Sequence, residues 1–159
     1  MISTQSHSVF SHLPSTSKVV DLASRRPVAQ VADTWGQPVI QRLEELVRLE
    51  LGWDGYEGSP VTFVNAVFAL GMLESICGPW SLVPQIVPGN SGDLQVEWHT
   101  LHGDVELHVK APNDVHAWRS KTHSLEEEEL PLTNDFSKIV AWIDELEEPS
   151  FAAKATPAR

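Results

Sequence analysis

The stretch from Leu51 to Pro60, Leu-Gly-Trp-Asp-Gly-Tyr-Glu-Gly-Ser-Pro, constrains the fold more than any other part of the chain. A segment with helical periodicity lies on either side of it. Gly52 falls where the first of these should stop, because glycine takes the left-handed conformation that closes a helix without a Cβ penalty. Ser59 before Pro60 reads as the start of the next helix: the hydroxyl accepts from a free N–H, and proline suits the first helical position. Asp54 before Gly55 is turn chemistry. Trp53 and Tyr56 are expected to lie across both helices and cover one end of the core. Trp53, Asp54, Tyr56 and Glu57 are therefore candidate binding residues, set against the plainer reading of a structural corner.

The first helix is expected from about Gln37 to Leu51. Thr34 and Gln37 have capping-box spacing, and Pro38 suits the first turn. Ile40, Leu43, Leu46 and Val47 give one apolar face, and Glu44 pairs with Arg48 at i,i+4. The second helix is expected from about Pro60 to Cys77. Its apolar residues fall on two stripes, Val61-Val64-Phe68-Met72-Ile76 and Phe63-Val67-Leu70. That predicts a central helix covered on both sides.

Val83 to Val87 is a short strand between prolines, which places it at an edge. Gly89 to Asp93 is a turn. Leu94, Val96 and Trp98 then alternate with Gln95, Glu97 and His99, and Val105, Leu107 and Val109 with Glu106, His108 and Lys110. These are two strands with one face inward. A two-residue turn at His102-Gly103 would set Trp98 against Leu107 and Glu97 against His108. The register shifted by two sets Glu97 against Glu106, which is unfavourable. Val115 to Arg119 is a further strand, with the face of Trp118 left open. Lys121 to Glu129 ends in four consecutive glutamates and reads as a loop or a solvated helix start. Thr133-Asn134-Asp135 caps a last helix to about Glu147, with Phe136, Ile139, Val140, Trp142 and Ile143 inward.

The fold class expected is α+β: two consecutive helices on a small antiparallel sheet of three to four strands, plus a C-terminal helix and flexible termini. Residues 1–32 read as a disordered or partner-docking arm, 33–147 as a single domain, and 148–159 as a flexible tail.

Charge narrows the function. The chain of 159 residues carries a net charge of −11. Lys18, Arg25 and Arg26 against Asp21 give residues 1–32 a charge of +2, which leaves −13 on the remainder. Such acidity opposes direct binding of nucleic acid, because phosphates would be repelled. It suits a basic protein partner, or mimicry of nucleic acid in a partner's groove. No apolar run reaches membrane-spanning length and no secretory leader is read, so no membrane and a cytoplasmic location are expected. The single cysteine, Cys77, excludes an internal disulfide and reads as a small core residue.

Catalytic patterns are sparse. No Gly-x-Ser-x-Gly elbow and no phosphate loop is present. His99, His108 and His116 share a sheet face with Glu97 and Glu106. They suggest a metal or a pH-sensitive face, but no His-x-x-x-His helix or cysteine pair supports a metal site. No catalytic residue, metal or cofactor is assigned, and a small hydrolase or metal-dependent enzyme stands only as an alternative.

The run Gly52-Trp53-Asp54-Gly55-Tyr56, followed by Pro60 and an apolar helix, resembles the Gly-Trp-Asp-Gly-Tyr-Gly-Ala motif of a family of small bacterial proteins. In that family an acidic strand with a Glu-Trp pair often follows, as Glu97-Trp98 does here. The resemblance covers about Leu49 to Val109. It departs at Glu57, where the family usually has glycine, and in the long N-terminal segment. It implies an accessory, defence or toxin–antitoxin context and attaches no activity. The function expected is a non-catalytic bacterial interaction protein of antitoxin, immunity or defence-accessory type. It would bind a basic partner through its acidic surface, including Glu97 and Glu106, or through the N-terminal arm.

Overall fold

A computed structural model describes residues 34–122, 124 and 126–147. Its elements, in order, are α1 (Gly36–Val47), α2 (Phe63–Ile76), β1 (Gln85–Pro88), β2 (Leu94–Thr100), β3 (Gly103–Ala111), β4 (Asp114–Lys121), β5 (Glu127–Leu132) and α3 (Ser137–Glu147). The strands form one antiparallel sheet in sequence order. The class is α+β. The sheet has five strands rather than three or four, and the segments expected as arm and tail lie outside the described residues.

Residue alternation decides which side of the sheet is covered. Val96, Trp98, Val105, Leu107, Val109, Val115 and Ala117 are fully buried and form one core with Val39, Leu43 and Leu46 of α1, Ala66, Ala69 and Leu73 of α2, and Ile139, Trp142 and Ile143 of α3. All three helices therefore lie on the same side. Each large buried aliphatic side chain contributes roughly 1.5–3 kcal/mol.

α1 stops at Val47, well before Gly52, where Arg48 N–H turns back to Glu45 O and the Leu46 carbonyl is taken by the N–H groups of Leu49 and Val61. No capping box forms. Trp35 is the N-cap without a side-chain capping bond, its indole N–H donating to Gly78 O, and the Thr34 hydroxyl donates to Pro79 O and Ser81 O. The expected Glu44–Arg48 pair is present at 3.4 Å. α2 begins at Phe63 rather than Pro60, since Thr62 is the cap and accepts from the Asn65 N–H. Phe63 and Val64 are exposed, so the first turn of α2 is not covered on both sides. Buried Asn65 ties the helix to the sheet by donating to Gly92 O and Lys110 O.

The β2–β3 register is the one the sequence reading disfavoured. Trp98 faces Val105, Val96 faces Leu107, and Glu97 faces Glu106. The turn is Leu101-His102, not His102-Gly103. The Thr100 hydroxyl fixes it by accepting from His102 N–H and donating to Gly103 O. Gly103 then sits at φ +152, where an added Cβ would lie 2.2 Å from Ser120 O. No other residue fits that approach, so turn geometry outweighs the Glu–Glu opposition.

The tandem glutamates form an edge strand instead of a loop or helix start. Extended backbone sends successive side chains to opposite faces. Glu128 turns to the helix side, where its carboxylate meets Arg119 at 3.2 Å and Lys138 at 3.6 Å. Charges and Pro131 also suit an exposed edge, since they discourage pairing with another chain. α3 begins as expected at its aspartate: Asp135 Oδ1 accepts from Ser137 N–H.

Candidate interaction surface

The Leu51–Pro60 segment is a closed hydrogen-bonded loop. Gly52, at φ +81, donates to Gly58 O, and Gly55, at φ +84, donates to Gly52 O. Asp54 Oδ1 accepts from Tyr56 N–H at 2.9 Å and Gly58 N–H at 3.0 Å. Those two donations hold the Asp54 carboxyl below its ordinary value, the Tyr56 bond contributing most. Such a group is a weak general base at neutral pH. A Cβ added at Gly58 would lie 2.7 Å from the Asp54 carboxyl carbon, so the carboxylate would have to move away from its two N–H donors. The Trp53 indole donates to Ser59 O, and Ser59 N–H donates to Asn90 O, joining the loop to the β1–β2 turn. Tyr56 does not cover the core as expected. It is 87% exposed, and Trp53 is 36% exposed. Asp54, Tyr56 and Glu57 line an open depression with Asn90 and Ser91.

Glu97 and Glu106 lie elsewhere, side by side on the face of the sheet that carries none of the described helices. Strand alternation places Asp104, Trp118, Glu127 and Glu129 on that same face, with Lys110 at its end. Trp118 sits centrally, with Glu106 as its Cα partner on β3 and Glu129 on β5. Neither the Trp118 indole N–H nor the Glu106 carboxylate bonds to a described residue. Asp104, Trp118, Glu127 and Glu129 were not singled out by the sequence reading. The alternation of Val115 and Ala117 was the available signal for Trp118. The glutamate run hid its own alternation until its strand pairing was known.

The other cations of the sheet point to the helix side and are engaged there. Arg119 lies 4.7 Å from the Trp142 ring centroid and 3.0 Å from Glu145, and Lys121 reaches Glu145 at 2.8 Å. Lys121 chiefly, then Arg119, holds the Glu145 carboxyl below its ordinary value against burial, which would raise it. The sheet thus sorts charge by face, neutral and paired beneath, acidic above.

Histidines partly offset the acidic face. His99 bridges Glu97 at 3.1 Å and Asp104 at 2.9 Å, and these bonds, Glu97 first, raise its pKa above 6.5. His108 bonds to Asp93. Burial works to raise Asp93, but the bonds from His108 and from Ser91 N–H outweigh it and hold the carboxyl low. His116 lies 3.7 Å from Glu129. His108 and His116 are cross-strand partners, whereas His99 lies four residues along the ladder from His108, about 13 Å away. Among the described residues, no group of three or more His, Cys, Asp or Glu side chains is placed to hold a metal ion.

Fold and surface together define an α+β protein whose described helices all cover one face of an antiparallel sheet. No helix among the described residues is long and apolar enough to cross a membrane. No family model, no curated protein and no solved structure matches the chain.

Proposed function

We propose that the chain is a non-catalytic interaction protein that binds a basic protein partner on the open face of its sheet. The observation that carries this is the Glu106–Trp118–Glu129 row, an indole between two carboxylates, on a face free of described helices. An aromatic face and a flanking carboxylate together suit a lysine or arginine side chain. The candidates Glu97 and Glu106 belong to this surface. Trp53, Asp54, Tyr56 and Glu57 form the scaffold loop beside it, with the Tyr56 ring free for a peripheral contact. The narrower class, antitoxin, immunity or defence accessory in the bacterial cytoplasm, rests on the motif at Gly52–Tyr56.

The test is capture of partners from native cells by the tagged full chain, beside a Glu106→Lys/Glu129→Lys variant. A stoichiometric basic protein should come with the wild type, be lost from the variant, and be released as salt rises to about 0.5 M. Equal capture by both proteins, or turnover of a substrate by the isolated chain, would overturn the reading.

A further inference from the structure

The open face has a candidate occupant within the same chain. Residues 1–33 lie outside the described residues, and the described chain begins at Thr34. Thr34 is anchored by its N–H to Pro79 O and by its hydroxyl to Ser81 O. The next residue, Leu82, accepts from the Trp98 indole, so Thr34 is tied to the Trp98 end of β2. Upstream lie Lys18, Arg25 and Arg26 against Asp21, one of two basic segments in an otherwise acidic chain, the other being residues 149–159 with Lys154 and Arg159; only the upstream segment carries adjacent arginines. Eight residue steps separate Arg26 from Thr34, a reach of at most roughly 26–29 Å. Thr34 precedes α1 on the helix side, so the segment must round the β1 edge, roughly 10 Å, and cross three inter-strand steps to β4, roughly 14 Å, which the reach just covers. Docking within one chain is intramolecular and so independent of protein concentration.

We propose that the Arg25–Arg26 segment docks on its own chain's open sheet face, with a guanidinium over Trp118 between Glu106 and Glu129. The segment is thereby a tethered competitor of the basic partner, and this rests on the reading of that face as an interaction surface. The indole and both carboxylates match a guanidinium in shape and charge. The partner must displace the segment, so its apparent affinity is lowered by the occupied fraction.

The experiment uses the full chain carrying Arg25→Lys/Arg26→Lys, which keeps the charge and supplies amines for zero-length carbodiimide coupling. Peptide mapping should find position 25 or 26 joined to Glu106 or Glu129 in monomeric protein, independent of protein concentration and lost at high salt. Coupling spread equally over the helix-side residues Glu44, Glu45, Glu74 and Asp144 would overturn the proposal. So would coupling confined to dimers, which would make a second copy the occupant. As a second measurement, full-length Arg25→Glu/Arg26→Glu should bind a synthetic peptide of residues 17–29 about tenfold more tightly than the wild type. Equal affinity would overturn self-docking. The two readings fail separately: partner capture that depends on Glu106 and Glu129 without segment coupling sinks only the tethered competitor. Coupling with partner capture indifferent to those residues sinks only the partner surface.

Discussion

The Leu51–Pro60 loop and the open face of the sheet both present carboxylates and aromatic rings, yet they differ in what those groups are doing. In the loop the Asp54 carboxylate and the Trp53 indole are engaged internally: Asp54 holds two backbone N–H groups, Trp53 holds Ser59 O, and Gly52 holds Gly58 O. On the sheet face, Glu97 stands opposite Glu106, and Trp118 and Glu106 bond to no described residue. The loop is the more distinctive sequence but has the chemistry of a scaffold. A surface that keeps like charges opposed gives up stability there, which is what a binding surface tolerates.

The largest expected effect breaks the comparison at the sheet. Glu106→Lys/Glu129→Lys should lower affinity for the proposed basic partner by about 100-fold, about 2.7 kcal/mol, by placing like charge against it. Asp54→Ala should leave that affinity unchanged per mole of folded protein. Titration calorimetry with the captured partner measures both, and a larger loss from Asp54→Ala would reverse the roles of loop and face.

Stability should show the opposite ranking. Gly58→Ala drives a methyl into the Asp54 carboxyl, 2.7 Å from its carbon, and should cost about 1–3 kcal/mol in urea unfolding. Asp54→Ala should lower the unfolding midpoint in the same direction, and Asp54→Asn by less, since Asn keeps the accepting oxygen. A Gly58→Ala protein as stable as the wild type would mean that the loop is not closed around Asp54.

How much of this was legible in the sequence depends on where each determinant lies. Alternation is local, so residues 94–99 and 105–110 were readable as strands, and Glu97 and Glu106 as outward positions. The Asp135 cap is local as well. The β2–β3 register is not, because it follows from the Thr100 side-chain bonds and from Ser120 O lying against Gly103 on a third strand. β5 was illegible for a similar reason. Consecutive glutamates disfavour a strand until Arg119 and Lys138, distant in sequence, receive Glu128. The end of α1 depends on Val61, fourteen positions beyond the last helical residue, reaching back to Leu46 O. The site was half visible: carboxylates follow alternation, but the central place of Trp118 needs the order of β3, β4 and β5.

The Glu97–Glu106 opposition gives a smaller and sharper test. Glu106→Gln removes one of the two like charges and should raise stability by about 0.2–1 kcal/mol at low salt. The gain should shrink as salt rises, because the face is open to solvent. Loss of partner affinity together with gain of stability in one variant would identify a surface maintained for binding. A loss of stability would instead make Glu106 a structural partner.

The smallest effect concerns how that opposition is eased. His99 lies between Glu97 and Asp104, and its pKa is raised by the Glu97 bond first and the Asp104 bond next. A raised folded-state value means that protonation favours the folded state. The stabilisation is fully present below the unfolded value, about 6.5, and is lost as pH rises through the higher folded value. Wild type should therefore exceed His99→Gln in stability most below about pH 6.5 and lose the advantage as pH rises through the higher folded value. The side chain is 48% exposed, so solvent screening keeps the difference small. Urea midpoints of both proteins across that range measure it. A difference that does not change with pH would mean that neutral His99 acts only as a hydrogen-bonding spacer. The carboxylates of the face would then repel one another in full at every pH in the range, and the Glu106→Gln gain would be equally independent of pH.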